Sequence, residues 1–315
     1  MQNVIARFRE EQKTAPLSRW EYIERSRSKE QLEKISAWRG KESLKDWLMN
    51  ITGADVILEG KKVNAPRYMI PEHYLNVAKK YNAILQEDTG VPDHFSEYDA
   101  LDFLMCSVIP TPARVLDYAA GYGRQSFLFS QVPDCKLFVT DAVEISYCAQ
   151  KYVFDLMHFP QWEYFDQQKP LEEFLKEPGF GIAHYPSWRD DLIPSRSLDL
   201  ALFVWCLSEM PESAARNAID TCARALKEGG YVYIRDMPHT HGWNIEKYLW
   251  RKGFKLAMFP WKLHKDEVSG SPRLYRYLPN SLDAHNAKYF DIFTIGMLRS
   301  YTPKEILKRV VRLFR

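Results

Sequence analysis

Five residues of this chain, Asp117, Asp141, Glu209, His239 and His241, combine a reactive side chain with a position where chemistry is expected. Asp117 closes a short apolar, β-prone run, two residues before a turn of small residues: Ala119, Ala120, Gly121 and Gly123. Such a turn lets backbone N–H groups approach a ligand with little side chain in the way. Arg124 then opens a helix-prone segment, whose start offers unpaired N–H donors and the positive end of a dipole. A carboxylate just before the turn suits a ligand bearing an ammonium group and is a poor match to a pyrophosphate. Arg124 sits where a positive charge is mildly unfavourable, and it suits a bidentate pair with a ligand carboxylate. Asp141 follows a second β-prone run at roughly the 20-residue separation at which doubly wound sheets set an acidic residue on ribose hydroxyls. Capping the next helix is the other role open to Asp141, and the ribose role is preferred.

Glu209 and the two histidines compete as general base. Glu209 follows the long apolar run Leu198 to Leu207, in Ser208-Glu209-Met210-Pro211. His239 and His241 follow the next strand-like run, Tyr231 to Arg235, and histidine is the commonest general base. Either histidine could instead be a plain loop residue. No cluster of cysteine or carboxylate accompanies the His-x-His, so no metal site is expected.

The elements that must hold these residues read as an alternation of strands and helices. Strands are expected at Lys136 to Thr140, Phe180 to His184, Leu198 to Leu207 and Tyr231 to Arg235. The continuous apolar character of Leu198 to Leu207 marks a central parallel strand covered on both faces. Helices are expected from Ala142 to about Met157, from Glu212 to Leu226 with Lys227-Glu228-Gly229-Gly230 as its stop, and from Glu246 to Lys252. Phe254 to Trp261 and Pro272 to Leu278 read as a closing antiparallel pair. The fold class is thus α/β, a doubly wound Rossmann-like sheet with ligands at the carboxyl edge. Leu32, Ile35, Trp38, Leu44, Trp47 and Leu48 recur at helical spacing in a charged N-terminal region, which reads equally as a scaffold or as a lid. The expected division is a helical region over 1–100, the α/β core over 101–280 and an extension over 281–315.

Four segments together resemble class I methyltransferases that use S-adenosylmethionine, and within them the bacterial sugar O-methyltransferase family. They are Ala120-Gly121-Tyr122-Gly123-Arg124; Asp141 with Gln150-Lys151-Tyr152; Pro186-Ser187-Trp188; and Leu207-Ser208-Glu209-Met210. The match covers roughly residues 95 to 280, and it departs from the pattern at Ala119, where the family usually has glycine. The resemblance implies S-adenosylmethionine as cofactor, with S-adenosylhomocysteine as product. It implies cofactor contacts from Asp117, Ala119, Gly121, Gly123, Arg124, Asp141, Ala142, Ser187 and Trp188, the last stacked on the adenine. The alternative for Trp188 is a buried anchor. The implied acceptor is a hydroxyl of a small molecule, a sugar or glycoconjugate precursor. N-methylation of an amino sugar or other amine, and a non-catalytic binding or scaffold role, are the other readings. A dinucleotide oxidoreductase is disfavoured by the missing third glycine and the closing strand pair.

With 315 residues, 46% hydrophobic and 14% aromatic, the chain holds enough apolar surface for a sizeable core. A net charge of +2 gives no global reason to expect nucleic acid as partner. The five cysteines are scattered without C-x-x-C spacing and read as free thiols of a reducing compartment. No apolar signal segment follows Met1, and a cytoplasmic location is expected. Residues 302–315 form a basic amphipathic pattern, which suits either peripheral membrane contact or docking on the domain. Homo-oligomerisation is a further expectation for the N-terminal surface.

Overall fold

In the computed structural model, residues 1–16, 38–50, 70–236, 239–240, 243–258 and 271–279 are described, apart from 92, 94–95, 108 and 112. An eight-stranded sheet organises them, in the order β3-β4-β2-β1-β5-β6-β10-β9. The strands are β1 (Arg114–Tyr118), β2 (Lys136–Asp141), β3 (Gln161–Glu163), β4 (Gly181–Pro186), β5 (Leu198–Val204), β6 (Leu226–Asp236), β9 (Phe254–Met258) and β10 (Ser271–Tyr277). β3 through β6 run parallel to their neighbours, while β10 is antiparallel to both β6 and β9. The order reverses between β1 and β5, the switch point beside which open α/β sheets bind ligands. This is the expected doubly wound Rossmann-like sheet with its closing antiparallel pair.

Side chains alternate across each strand, so the sheet feeds two cores. Val115, Leu137, Val139, Ile182, Leu200, Leu202 and Tyr233 pack in one cluster with residues of α2 (Lys41–Asn50), α3 (Glu72–Thr89), α4 (Ser96–Cys106) and α6 (Glu144–Leu156). Leu116, Phe138, Ala183, Ala201, Phe203, Val232 and Ile234 pack on the other face with α7 (Leu171–Phe174), α8 (Glu212–Ala225) and α9 (Ile245–Arg251). The N-terminal helices therefore share a core with the sheet, and the expected division at residue 100 falls inside α4. α1 (Gln2–Gln12) docks separately: Phe8 joins Tyr147, Phe165 and Trp188 in an aromatic cluster.

Two expected boundaries shift. Lys227-Glu228-Gly229-Gly230 is not a stop after α8: β6 begins at Leu226, whose extended backbone pairs with Leu198, and a register irregularity between Leu198 and Leu200 accommodates the turn-like residues inside the strand. β5 ends at Val204, because Trp205 adopts a left-handed φ of 54° that breaks the ladder. β3 was not expected, since three residues carry no readable alternation. No helix among the described residues is long and apolar enough to cross a membrane. The basic pattern of 302–315 lies outside the described residues.

The short α5 (Gln125–Phe129) follows the glycine turn, which is fitted tightly to α6. At Gly123, with φ 79°, an added Cβ would stand 2.6 Å from the Phe154 ring. Gly123→Ala should therefore lose about 2–4 kcal/mol of unfolding free energy through strain and overpacking, measured by denaturant titration.

Candidate active site at the carboxyl edge

Both strands at the switch point leave the sheet through a left-handed residue, Ala119 after β1 (φ 53°) and Trp205 after β5 (φ 54°). Non-glycine residues held in that region store strain and concentrate at functional sites. At Ala119 the chain adopts a conformation that favours glycine despite the methyl group. Gly121 and Gly123 continue the turn with φ 61° and 79°.

Asp117 shares the sheet face of Val115 and stands at 2% exposure. Its Oδ2 has no hydrogen-bond partner in the protein. Burial pushes its carboxyl up to about 7, against the pull of Arg124. The same layer holds Asp99 and Asp102 on α4, Arg124 in the turn and Arg235 on β6. Arg235 pairs with Asp102 through Nε at 2.7 Å and Nη2 at 2.8 Å, and Tyr233 donates to Asp102 at 2.5 Å. Arg124 reaches Asp99 at 3.3 Å and Asp102 at 3.8 Å. Burial raises Asp99 to about 7 as well. Full ionisation of Asp99, Asp102 and Asp117 against Arg124 and Arg235 leaves one negative charge unmatched. A buried charge is costly unless it is paired, so this layer suits one further cation.

Asp141 ends β2 at 4% exposure. Its carboxylate accepts from the backbone N–H of Val143 at 3.0 Å and of Gly121 at 3.3 Å, and from the Gln150 amide at 3.3 Å. Burial raises it to about 7 in spite of those donors. Asp141 thus ties the glycine turn to the second strand, and neither that nor its turn contact to Val143 was legible in the sequence. Ala142 follows, and its carbonyl accepts from Gln12 of α1 at 2.9 Å. Ser187 is buried at the end of β4. The Trp188 ring packs at 4.8 Å against Phe8 and lies buried in the α1 aromatic cluster. Arg124, expected opposite a ligand carboxylate, faces the carboxylates of α4 instead.

Glu209 is half-buried, its N–H donating to the Cys206 carbonyl at 3.1 Å. The turn that carries it is fixed by Asp236, whose Oδ2 accepts from the N–H groups of Cys206 at 3.1 Å and Ser208 at 2.9 Å. Asp236 and Arg235 are site residues that sequence reasoning missed. An acidic residue at the end of β6 was the available signal for the first. His239 lies in β7 (His239–Thr240), a two-residue strand paired with β8 (Trp243–Asn244). His241 lies outside the described residues. No group of three or more metal-binding side chains occurs among the described residues.

No protein-family model matches the chain, and no curated protein matches it. Solved structures do overlay on it. A magnesium protoporphyrin IX methyltransferase from Synechocystis with bound S-adenosylmethionine aligns at TM-score 0.41 and 13% identity, over 77% of this chain and 99% of its own. A TehB-like S-adenosylmethionine-dependent methyltransferase from Corynebacterium glutamicum aligns at TM-score 0.40 and 18% identity, over 66% and 99%. The [4+2]-cyclase SpnF aligns at TM-score 0.41 and 14% identity, over 65% and 96%. At these scores the likenesses assign neither activity nor ligand, and the fold rests on the strand order.

The strain at Ala119 has a direct test. Ala119→Gly should raise unfolding free energy by roughly 0.5–1 kcal/mol, relief of strain exceeding the added chain entropy, as an upward shift of the denaturant midpoint.

Proposed function

We propose that this chain is an S-adenosylmethionine-dependent methyltransferase that acts on a hydroxyl of a small molecule, a sugar or glycoconjugate precursor. One observation carries the cofactor part: the buried, unpartnered Oδ2 of Asp117 in a layer that lacks one cation. An ammonium group supplies both a donor and the missing charge. The flanking turn, with its three left-handed residues, brings backbone close to whatever Asp117 holds. A dinucleotide would set a pyrophosphate against that carboxylate, which disfavours the oxidoreductase reading.

In this reading Asp117 holds the cofactor ammonium, and Ala119, Gly121 and Gly123 form the cradle of its amino-acid end. Asp141, at the end of β2 beside the turn, is the carboxylate for the ribose hydroxyls. Ala142 and Ser187 border the adenine, with Phe8 and Trp188 as the wall behind it. Trp47 of α2 roofs the cradle, its Cη2 3.0 Å from where a Gly121 Cβ would stand. That contact supports the lid role for the N-terminal helices.

When bound, the sulfonium supplies a methyl group already activated for in-line displacement. The protein's part is to exclude water, align the acceptor and take its proton. Glu209 is the preferred base, at the carboxyl edge on a turn braced by Asp236. Glu209 would take the proton of the acceptor hydroxyl as that oxygen takes up the methyl group. The choice of a sugar rests on the sequence resemblance in Ser208-Glu209-Met210.

Calorimetric titration of the full chain with S-adenosylmethionine and S-adenosylhomocysteine tests the cofactor part. Asp117→Asn should weaken binding by about 30-fold or more, the cost of losing a buried charge partner. The pH dependence has a defined sign. Free Asp117 is largely protonated below about 7, whereas a bound ammonium favours its ionised form. Binding should therefore release a proton and tighten as pH rises from about 5.5 to 7, where the ligand amine remains cationic. Buffers of different ionisation heat would register that proton, and Asp117→Asn should abolish it. A folded wild-type chain that binds neither compound would refute the reading. For turnover, Glu209→Gln should lower kcat on a methylated acceptor by ~10²–10⁴ with little change in cofactor affinity.

A further inference from the structure

Behind Asp141 a buried chain of hydrogen bonds crosses four elements. The Gln150 amide nitrogen donates to the Gly121 carbonyl at 2.9 Å and to Asp141 at 3.3 Å. Both partners only accept, so the amide orientation is fixed and its oxygen faces His184, 2.9 Å from Nε2. An amide oxygen cannot donate, so Nε2 carries a proton. His184 Nδ1 lies 2.6 Å from Glu163 Oε2. The other oxygen of Glu163 accepts from Tyr147 at 2.5 Å and from the Phe165 N–H at 3.2 Å. Burial would raise Glu163, but the neighbouring His184 and these donors outweigh it and hold the carboxyl below its usual range.

We propose that His184 is the positioning residue of the glycine turn: its Nε2 proton fixes Gln150, which holds the Gly121 carbonyl and the Asp141 carboxylate in place. The proposal rests on reading that turn as a cofactor cradle. His184 and Glu163 are 0% and 5% exposed, so the pair is screened from solvent. Tyr147 stacks on the imidazole at 3.9 Å, and Phe154 meets it edge-on at 5.4 Å. The titratable groups around it are Glu163 on β3, Tyr147 and Cys148 on α6, Asp141 on β2 through Gln150, and Glu11 on α1 through Tyr147. None of them touches the acceptor edge, so His184 acts on the site only through Gln150.

The experiment uses the ligand-free full chain, labelled with nitrogen-15 in its eight histidines. The His184 signal, assigned by its loss in His184→Gln, should show a protonated Nε2. Gln150→Glu keeps an acceptor for Nε2–H but removes the donor to Gly121 and Asp141. It should preserve the Nε2–H signal, speed amide exchange at Gly121 to Gly123 about tenfold, and weaken S-adenosylhomocysteine about tenfold or more. Glu163→Gln, whose amide can donate to Nδ1, should leave Nε2 protonated, with turn exchange and ligand affinity within about threefold of wild type. An unprotonated Nε2 in the wild type, or unchanged turn exchange in Gln150→Glu, would overturn the proposal. Absence of ligand binding by the wild type would instead remove the cofactor reading, while the signal and the exchange rates still decide the role of His184.

Discussion

The carboxyl edge of this sheet depends on carboxylates that are held out of water. Asp99, Asp102, Asp117 and Asp141 are each less than 5% exposed, and three of them are pushed by burial to about 7. A hydrophobic core does not tolerate such groups unless each is paired or hydrogen-bonded. Two are handled within the protein: Asp102 by Arg235 and Tyr233, and Asp141 by backbone donors and Gln150. Asp99 and Asp117 each keep an unmet oxygen, and Asp117 does so beside a turn that bends into left-handed conformations. Local cost in charge and in backbone therefore coincides at the switch point, as expected where a ligand makes up the difference.

The N-terminal helices follow from the same constraint. A carboxylate is desolvated only if something covers it, and α3 and α4 cover the sheet face to which Asp117 belongs. α4 does more than cover, because its Asp99 and Asp102 bind the guanidinium groups of Arg124 and Arg235. α1 closes the other end of the edge. Arg9 grips Glu144 of α6 with two hydrogen bonds at 2.5 and 2.7 Å, and Gln12 holds the Ala142 carbonyl. These contacts join residues more than a hundred positions apart, so the edge is assembled from segments distant in the sequence.

Much of the sheet was legible in the sequence because its signals are local. Continuous apolar runs marked β2, β4, β5 and β6, and the later run at Pro272 marked β10. The small-residue turn after Asp117 and the carboxylate ending β2 followed from spacing alone. Elements without a local signal were missed or displaced. β3 has three residues, and the Gly229-Gly230 pair punctuates a strand here where it usually ends a helix. Trp188 was ambiguous for a related reason: composition does not say whether an aromatic ring meets a ligand or, as here, another ring.

By itself the sequence determined the alternation of strands and helices, the closing antiparallel pair, and the acidic residues at the ends of β1 and β2. Each follows from periodicity or from a backbone preference that acts over a few residues. Tertiary structure alone decided which charges meet. Arg124 faces Asp99 and Asp102, Arg235 faces Asp102, Asp236 braces the turn bearing Glu209, and His184 with Glu163 fixes Gln150. Electrostatic and hydrogen-bond energies depend on distance and on exclusion of water, and neither is set until helices and sheet pack together.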